Sequence, residues 1–169
     1  MSGNGTRIAA RWLADRTSAT TVRVRVGPRE IVARIRESDV EQEMGSVRLL
    51  GRERIAGLDV TVVDVGNPHA VVVGDPNDLP LIGPLLETHP RFPNRTNVQV
   101  ARVDAPGEVT ARVWERGVGE TKSSGTSAVA VAAALQEEGG TLVHFPGGDL
   151  RVEIAGGLAT LAGPVERID

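Results

Sequence analysis

A serine, a glycine and a small polar residue stand directly before an alanine-rich helical stretch at two places in this chain. The first reads Ser2-Gly3-Asn4-Gly5-Thr6-Arg7-Ile8-Ala9-Ala10, and the second Ser124-Gly125-Thr126-Ser127-Ala128-Val129-Ala130-Val131-Ala132. Each predicts a helix whose first amides are free to hold a carboxylate or another anion. Glycine lets a ligand approach the backbone, and the serine sits beside the positive end of the helix dipole. Taken singly, either is an ordinary serine N-cap. Two copies in one chain point instead to duplicated lobes whose helix starts face one site.

The rest of the pattern is short strands and a few helices, an α/β (α+β) class. A first helix is expected over residues 3–14, where Ile8, Ala9, Trp12 and Leu13 form an apolar stripe. Val22, Val24 and Val26 alternate with Arg23 and Arg25, and after Gly27-Pro28 come Ile31, Ala33 and Ile35, a hairpin with one wet face. Residues 37–54 read as a linker with one short strand. Two β-rich runs, 58–65 and 70–73, flank Gly66-Asn67-Pro68-His69. A capped helix is expected over 76–88, a loop over 89–95, and strands over 97–103 and 109–114. A loop at 115–124 leads to a small-residue helix over 125–138, stopped by Gly139-Gly140. Three strands, near 142–145, 150–154 and 159–162, close the pattern.

Composition narrows the function. The 169 residues carry 19 Lys+Arg against 22 Asp+Glu, a net charge of −3, so no basic face for nucleic acid is expected. Trp12, Phe92, Trp114 and Phe145 are the aromatic residues, too few for a base-stacking platform. With no cysteine, disulfides, thiolate zinc sites and thiol catalysis are excluded. The histidines form no His-x-x-x-His pair, so no metal site is expected. The apolar runs are too short to span a bilayer and no leader is evident, so a cytoplasmic protein is expected.

The remaining polar candidates lie in loops and at strand ends. Asn67 and His69 occupy a turn, where Asn-Pro alone explains an asparagine. Glu115 and Arg116 follow a strand that ends at Trp114 and are also readable as a surface ion pair. Asn97 opens a strand, where it is also readable as a cap. His89 and His144 have no evident partner and are taken as structural.

Read together, these segments resemble the diaminopimelate epimerase family. The resemblance rests on Ser2-Gly3-Asn4-Gly5, Glu43-Met44-Gly45, Gly66-Asn67-Pro68-His69, Glu87-Thr88-His89-Pro90-Arg91-Phe92-Pro93 and Arg95-Thr96-Asn97. It continues through Trp114-Glu115-Arg116-Gly117-Val118-Gly119-Glu120-Thr121, Ser124-Gly125-Thr126, Pro146-Gly147-Gly148 and Gly163-Pro164, in the family's order. It implies two pseudo-symmetric lobes, each a sheet wrapped around a central helix. Residues 1–46 with 163–169 would form the first lobe, expected to be incomplete, and residues 47–162 the second.

The activity implied is a cofactor-free isomerase reaction, the interconversion of LL- and meso-diaminopimelate for lysine and peptidoglycan synthesis. Inverting a stereocentre without a cofactor needs an acid and a base on opposite faces of the α-carbon, with fixed donors for the charge that develops on the carboxylate. By resemblance Ser2 and Ser124 take the places of the family's two catalytic cysteines. Gly3, Asn4, Gly125 and Thr126 would bind the reacting-end carboxylate. Asn67, Asn97, Glu115 and Arg116 would hold the substrate, its distal amino-acid end in particular, while His69 and Glu115 tune the catalytic pair. The partner implied is the small-molecule substrate, in a homodimer, with neither nucleic acid nor membrane.

Two departures qualify the expected activity. A thiol has a pKa near 8.5 that falls further at a helix N-terminus, whereas a serine hydroxyl needs a neighbouring base. Activity reduced by orders of magnitude, or lost, is therefore expected. Ser123 and Ser127 also depart from the family's usual small residues, which favours natural divergence over engineering. Family members also begin well before the first motif, so a misplaced start or a fragment is expected here, with exposed core in the first lobe. The competing readings are an impaired amino-acid-binding homologue and an epimerase or isomerase of another amino acid. Relatives of the phenazine-biosynthesis and proline-racemase types fit less well, the first because of Asn67, Asn97 and Glu115, the second because of Asn4.

Overall fold

The structure, a computed structural model, describes residues 3–136 and 138–165. Helix α1 (Gly3–Thr17) leads into strands β1 (Thr21–Val26), β2 (Arg29–Arg36), β3 (Asp39–Ser46), β4 (Arg48–Ile55), β5 (Leu58–Asp64) and β6 (Pro68–Val73). A 3-10 turn (Pro76–Asp78) and helix α2 (Leu79–Glu87) precede β7 (Asn97–Ala105), β8 (Glu108–Glu115) and the short β9 (Gly119–Thr121). Helix α3 (Gly125–Leu135) is followed by β10 (Gly139–Phe145), β11 (Gly148–Ala155) and β12 (Leu158–Pro164).

The strands form one sheet in the order β1-β2-β3-β12-β11-β10-β8-β7-β6-β5-β4, with β9 beside β8. Pairing is antiparallel except for β6 with β7 and β8 with β10. The long return of β12 to β3, from Leu158 opposite Ser46 to Pro164 opposite Asp39, ties the first three strands to the rest.

Three apolar clusters sort along this sheet. Helix α1 covers β1 to β3 through Ala10, Ala14, Val22, Ala33 and Val40, with Val165 at its margin. Helix α2 covers one face of β5 to β8 through Leu86, Val62, Val72 and Val98, with Ile82 and Trp114. Helix α3 occupies the centre of the third cluster, with Met44, Val63, Val71, Ala111, Val143, Val152 and Leu161 around it. Residues 128–134 of α3 are all alanine or valine, and each is buried. A helix that is apolar on every side is covered on every side, and its small side chains let the strands approach closely.

Elsewhere the structure corrects the sequence reading. Residues 37–54 are two full strands. In β3, Val40, Gln42 and Met44 point inward and alternate with Asp39, Glu41 and Glu43, a period of two disguised by a buried glutamine. β4 is an edge strand, hidden by its charges, which pair across to β5 as Arg48 with Asp64 and Arg54 with Asp59. The expected loop at 115–124 contains β9, which pairs with β8. The expected 76–88 helix divides into the 3-10 turn and α2. α3 ends at Leu135 rather than 138, because Gln136 is already extended and β10 begins at Gly139.

Candidate active site

The two repeated helix starts meet. Asn4 in the first turn of α1 donates from Nδ2 to the carbonyl oxygen of Ser123, 3.5 Å away and 119 residues later. Arg7 holds Asn4 in place, donating from Nη2 to Asn4 Oδ1 at 3.0 Å. Its guanidinium is buried over Gly163, where a Cβ would lie 3.6 Å from Arg7 Nε and Cζ. Burial pushes the Arg7 pKa down, and Asp39 partly opposes this.

Ser124 sits in extended backbone ahead of α3 (φ −147°, ψ 126°) and is buried. Its hydroxyl makes no capping bond, so the ordinary N-cap role is not the one it plays. Gly125 opens α3, and Thr126 shares a cavity of about 220 Å³ with Val65, Gly66 and Asn67. Gly3 opens α1, while Ser2 lies outside the described residues.

Beside this junction runs a buried polar chain. His69 is fully buried; its Nε2 lies 3.0 Å from Asn67 Oδ1, and its Nδ1 lies 3.0 Å from Gln99 Nε2. An amide carbonyl accepts and an amide NH2 donates, so this assignment defines the neutral tautomer with the proton on Nε2. Gln99 Nε2 also donates to Ser127 Oγ on α3 at 2.9 Å. Burial drives the His69 pKa down to about 4; the Asp64 charge opposes that, and Arg116 adds to it.

Asn97 stands opposite His69 in the parallel β6–β7 pair. Its Nδ2 donates to the Pro68 carbonyl and its Oδ1 accepts from the Arg116 amide, both at 3.0 Å. The asparagine thus braces the 66–69 turn against the turn after β8, a larger part than a strand cap. Glu115 and Arg116 do not pair with each other. Glu115 Oε1 accepts from Thr121 Oγ1 at 2.5 Å, and Arg116 Nη1 donates to the Asn94 carbonyl at 3.3 Å.

Sequence reasoning missed Gln99 and Glu87. Gln99 signals itself as a lone amide between Val98 and Val100 in a buried strand. Glu87 is buried at the end of α2 and accepts from Gly117 N (2.7 Å), Trp114 Nε1 (2.8 Å) and Arg95 Nη1 (3.5 Å). The Gly117 bond foremost, then the Trp114 bond, holds its carboxyl below the usual range. It therefore fixes the turn carrying Glu115 and Arg116. His89 is a local turn residue, its Nδ1 accepting from the Arg91 amide. His144, expected to lack a partner, lies between Asp149 (2.8 Å) and Glu108 (2.9 Å), which raise its pKa. Among the described residues no His/Asp/Glu group is placed to hold a metal ion, and no helix is long and apolar enough to cross a membrane.

Solved structures share this fold at low identity. A hydroxyproline epimerase from Agrobacterium vitis superposes with a TM-score of 0.70 at 17% identity, covering 97% of this chain and 63% of that one. A phenazine biosynthesis protein of the PhzF family from Enterococcus faecalis gives 0.69 at 12% identity, covering 97% and 69%. The fold is thus one this chain shares with both of these proteins. Closer likeness comes from sequence, where the family model for diaminopimelate epimerase matches residues 61–166. The diaminopimelate epimerase of Pelotomaculum thermopropionicum is 36% identical over 200 aligned positions, covering 99% of this chain and 71% of the relative. That of Desulforudis audaxviator is 48% identical over 118, covering 64% of this chain. The chain belongs to the diaminopimelate epimerase family. It spans 42% of the length of the Desulforudis audaxviator relative.

Proposed function

We propose that the chain forms the site of a diaminopimelate epimerase-type reaction, moving the α-proton between the LL and meso forms without a cofactor. The observation that carries this reading is the junction of the two helix starts through Asn4 and Ser123. A carboxylate placed there receives donors and dipoles from both helices at once, where charge develops as the α-proton leaves. In this reading Ser2 and Ser124 face opposite sides of the α-carbon, and the amides of Gly3, Asn4, Gly125 and Thr126 take the reacting-end carboxylate. Asn67, Asn97, Glu115 and Arg116 hold the remainder, and His69 stays neutral beside them. Residues 1–46 with 163–169, and residues 47–162, form two lobes; the clusters around α1 and α3 support that division, with Met44 of β3 crossing to the α3 cluster. The protein acts in the cytoplasm as a homodimer on the free amino acid, without nucleic acid or membrane.

A second reading, in which the chain binds the amino acid and turns it over very slowly, is favoured by one observation. Both ring nitrogens of His69 are engaged, by Asn67 and Gln99, so His69 is not free to deprotonate Ser124. Glu115 remains as the base. Exchange of the α-proton of LL-diaminopimelate in deuterated water, followed by proton NMR, separates the readings. Slow exchange that is abolished in Ser124→Ala and accelerated by orders of magnitude in Ser124→Cys supports serine in the proton-transfer place. No exchange in either the native chain or Ser124→Cys, with binding intact, leaves the binding reading. Exchange unaffected by both substitutions removes Ser124 from the mechanism.

A further inference from the structure

Arg7 is a buried cation without an ion-pair partner among the described residues. It is 5% exposed, and its guanidinium donates from Nη2 to Asn4 Oδ1 at 3.0 Å. Nε and Nη1 are buried as well and meet no acceptor among the described residues. Burial works against the charge more strongly than Asp39, acting through space, favours it. Asn4, Arg7, Ser123, Gly147 and Gly148 border a cavity of about 240 Å³, and the carboxylate on its wall, Asp149, is engaged by His144 at 2.8 Å.

Such a residue lowers stability. A buried charge with two donors unmet loses hydration that the protein does not replace. Its place on α1 adds to the penalty, because Arg7 is the fifth residue of the helix, close to the positive end of the dipole. No acidic residue in the first turn of α1 offsets it. The sequence repeat shows that a helix start of this kind does not require the cation. Five residues after Ser124, where Arg7 stands after Ser2, α3 has the fully buried Val129.

The effect of Arg7 is local to the junction of the helix starts. A guanidinium only donates, so Asn4 turns its oxygen toward Arg7 and its amide group toward the Ser123 carbonyl. The reverse orientation would set donor against donor at Arg7 and acceptor against acceptor at Ser123. The cation also stands behind the first turn of α1, and the low-dielectric surroundings strengthen its field there. We propose that Arg7 is a positioning residue of the carboxylate site, which locks the Asn4 amide between the two helix starts and keeps a positive charge behind them while lowering stability. The inference rests on the functional reading above and adds a residue that has no equivalent in α3.

Two substitutions test it. Arg7→Met keeps the apolar stem and removes the charge and the donors, whereas Arg7→Lys keeps the charge on a differently placed donor. The first readout needs no ligand: the side-chain amide protons of Asn4, followed by nitrogen–proton NMR. In the native chain they are expected apart from the signals of exposed asparagines, in Arg7→Met to move toward them, and in Arg7→Lys to lie between. The second readout sets stability against affinity. Arg7→Met is expected to keep or raise the thermal midpoint, yet to weaken LL-diaminopimelate binding by about tenfold or more, with Arg7→Lys recovering part of the loss. Asn4 signals unmoved in Arg7→Met, or equal affinity in that variant and the native chain, overturn the proposal. A lowered thermal midpoint in Arg7→Met, or failure of that variant to fold, overturns it too, because Arg7 is then a structural residue. A native chain that binds no diaminopimelate contradicts the epimerase reading, and the Asn4 signals with the thermal midpoint then decide the proposal.

Discussion

At the scale of single residues, His69 is the most tightly constrained group near the site. Folded, it stays neutral down to about pH 4, whereas an ordinary histidine takes up a proton near 6.5. Between those values the unfolded chain binds more protons, so the stability His69 contributes is intact above pH 6.5 and is lost as pH falls toward 4. A displacement of that size corresponds to roughly 3 kcal/mol. His144 works in the opposite sense, because Asp149 and Glu108 raise its pKa; its contribution is present below 6.5 and is lost as pH rises through the raised value. Urea midpoints at pH 7 and pH 4.5 check the first claim: the native chain is expected to lose more stability on acidification than His69→Gln. Equal losses in the two chains contradict it. The resemblance singled out Asn67, His69 and Asn97 in the sequence, and the turn and cap readings stood beside it. What the sequence hid was their mutual use, since Gln99 and Glu87 act through pairings set by the β6–β7 register and the end of α2.

Among the elements, α2 shows how a scaffold supports the site from behind. Gly83 faces Trp114 so closely that a Cβ there would lie 2.8 Å from Trp114 Cγ and Cδ2 and 2.9 Å from its Cβ. That approach lets Trp114 Nε1 reach Glu87, which in turn holds the Gly117 amide beside Glu115 and Arg116. Gly83→Ala is expected to cost about 1–3 kcal/mol through overpacking and to shift the fluorescence of Trp114. An unchanged thermal midpoint and emission spectrum would show that α2 gives way freely. The strands with clean alternation, β1 and β2, were readable at once. β3 was not, because an inward Gln42 broke the apolar period, and β4 was not, because an edge strand keeps charges on both faces. α1 extends three residues beyond its expected end at 14, to Thr17.

Over the whole molecule, the sequence repeat was the feature that reached furthest. It led to the expectation that two helix starts separated by more than a hundred residues face one site, and the Asn4–Ser123 bond brings those two starts together. The repeat did not specify how the sheet joins them, because the pairing of β3 with β12 depends on contacts remote in sequence. Nor did it assign the outer face of α1, where Ile8 and Trp12 are 59% and 58% exposed and Arg16 stacks 4.3 Å from the Trp12 ring. Both belong to the apolar stripe expected of α1, which therefore turns two of its large members to solvent. The central claim is that α1 and α3 present their N-terminal amides to one carboxylate. Titrating labelled chain with LL-diaminopimelate and following backbone amide resonances tests it most directly. The account predicts that Asn4 and Gly5 shift together with Gly125 and Thr126 along a single saturation curve. Shifts confined to α3, or two curves with different midpoints, would contradict it.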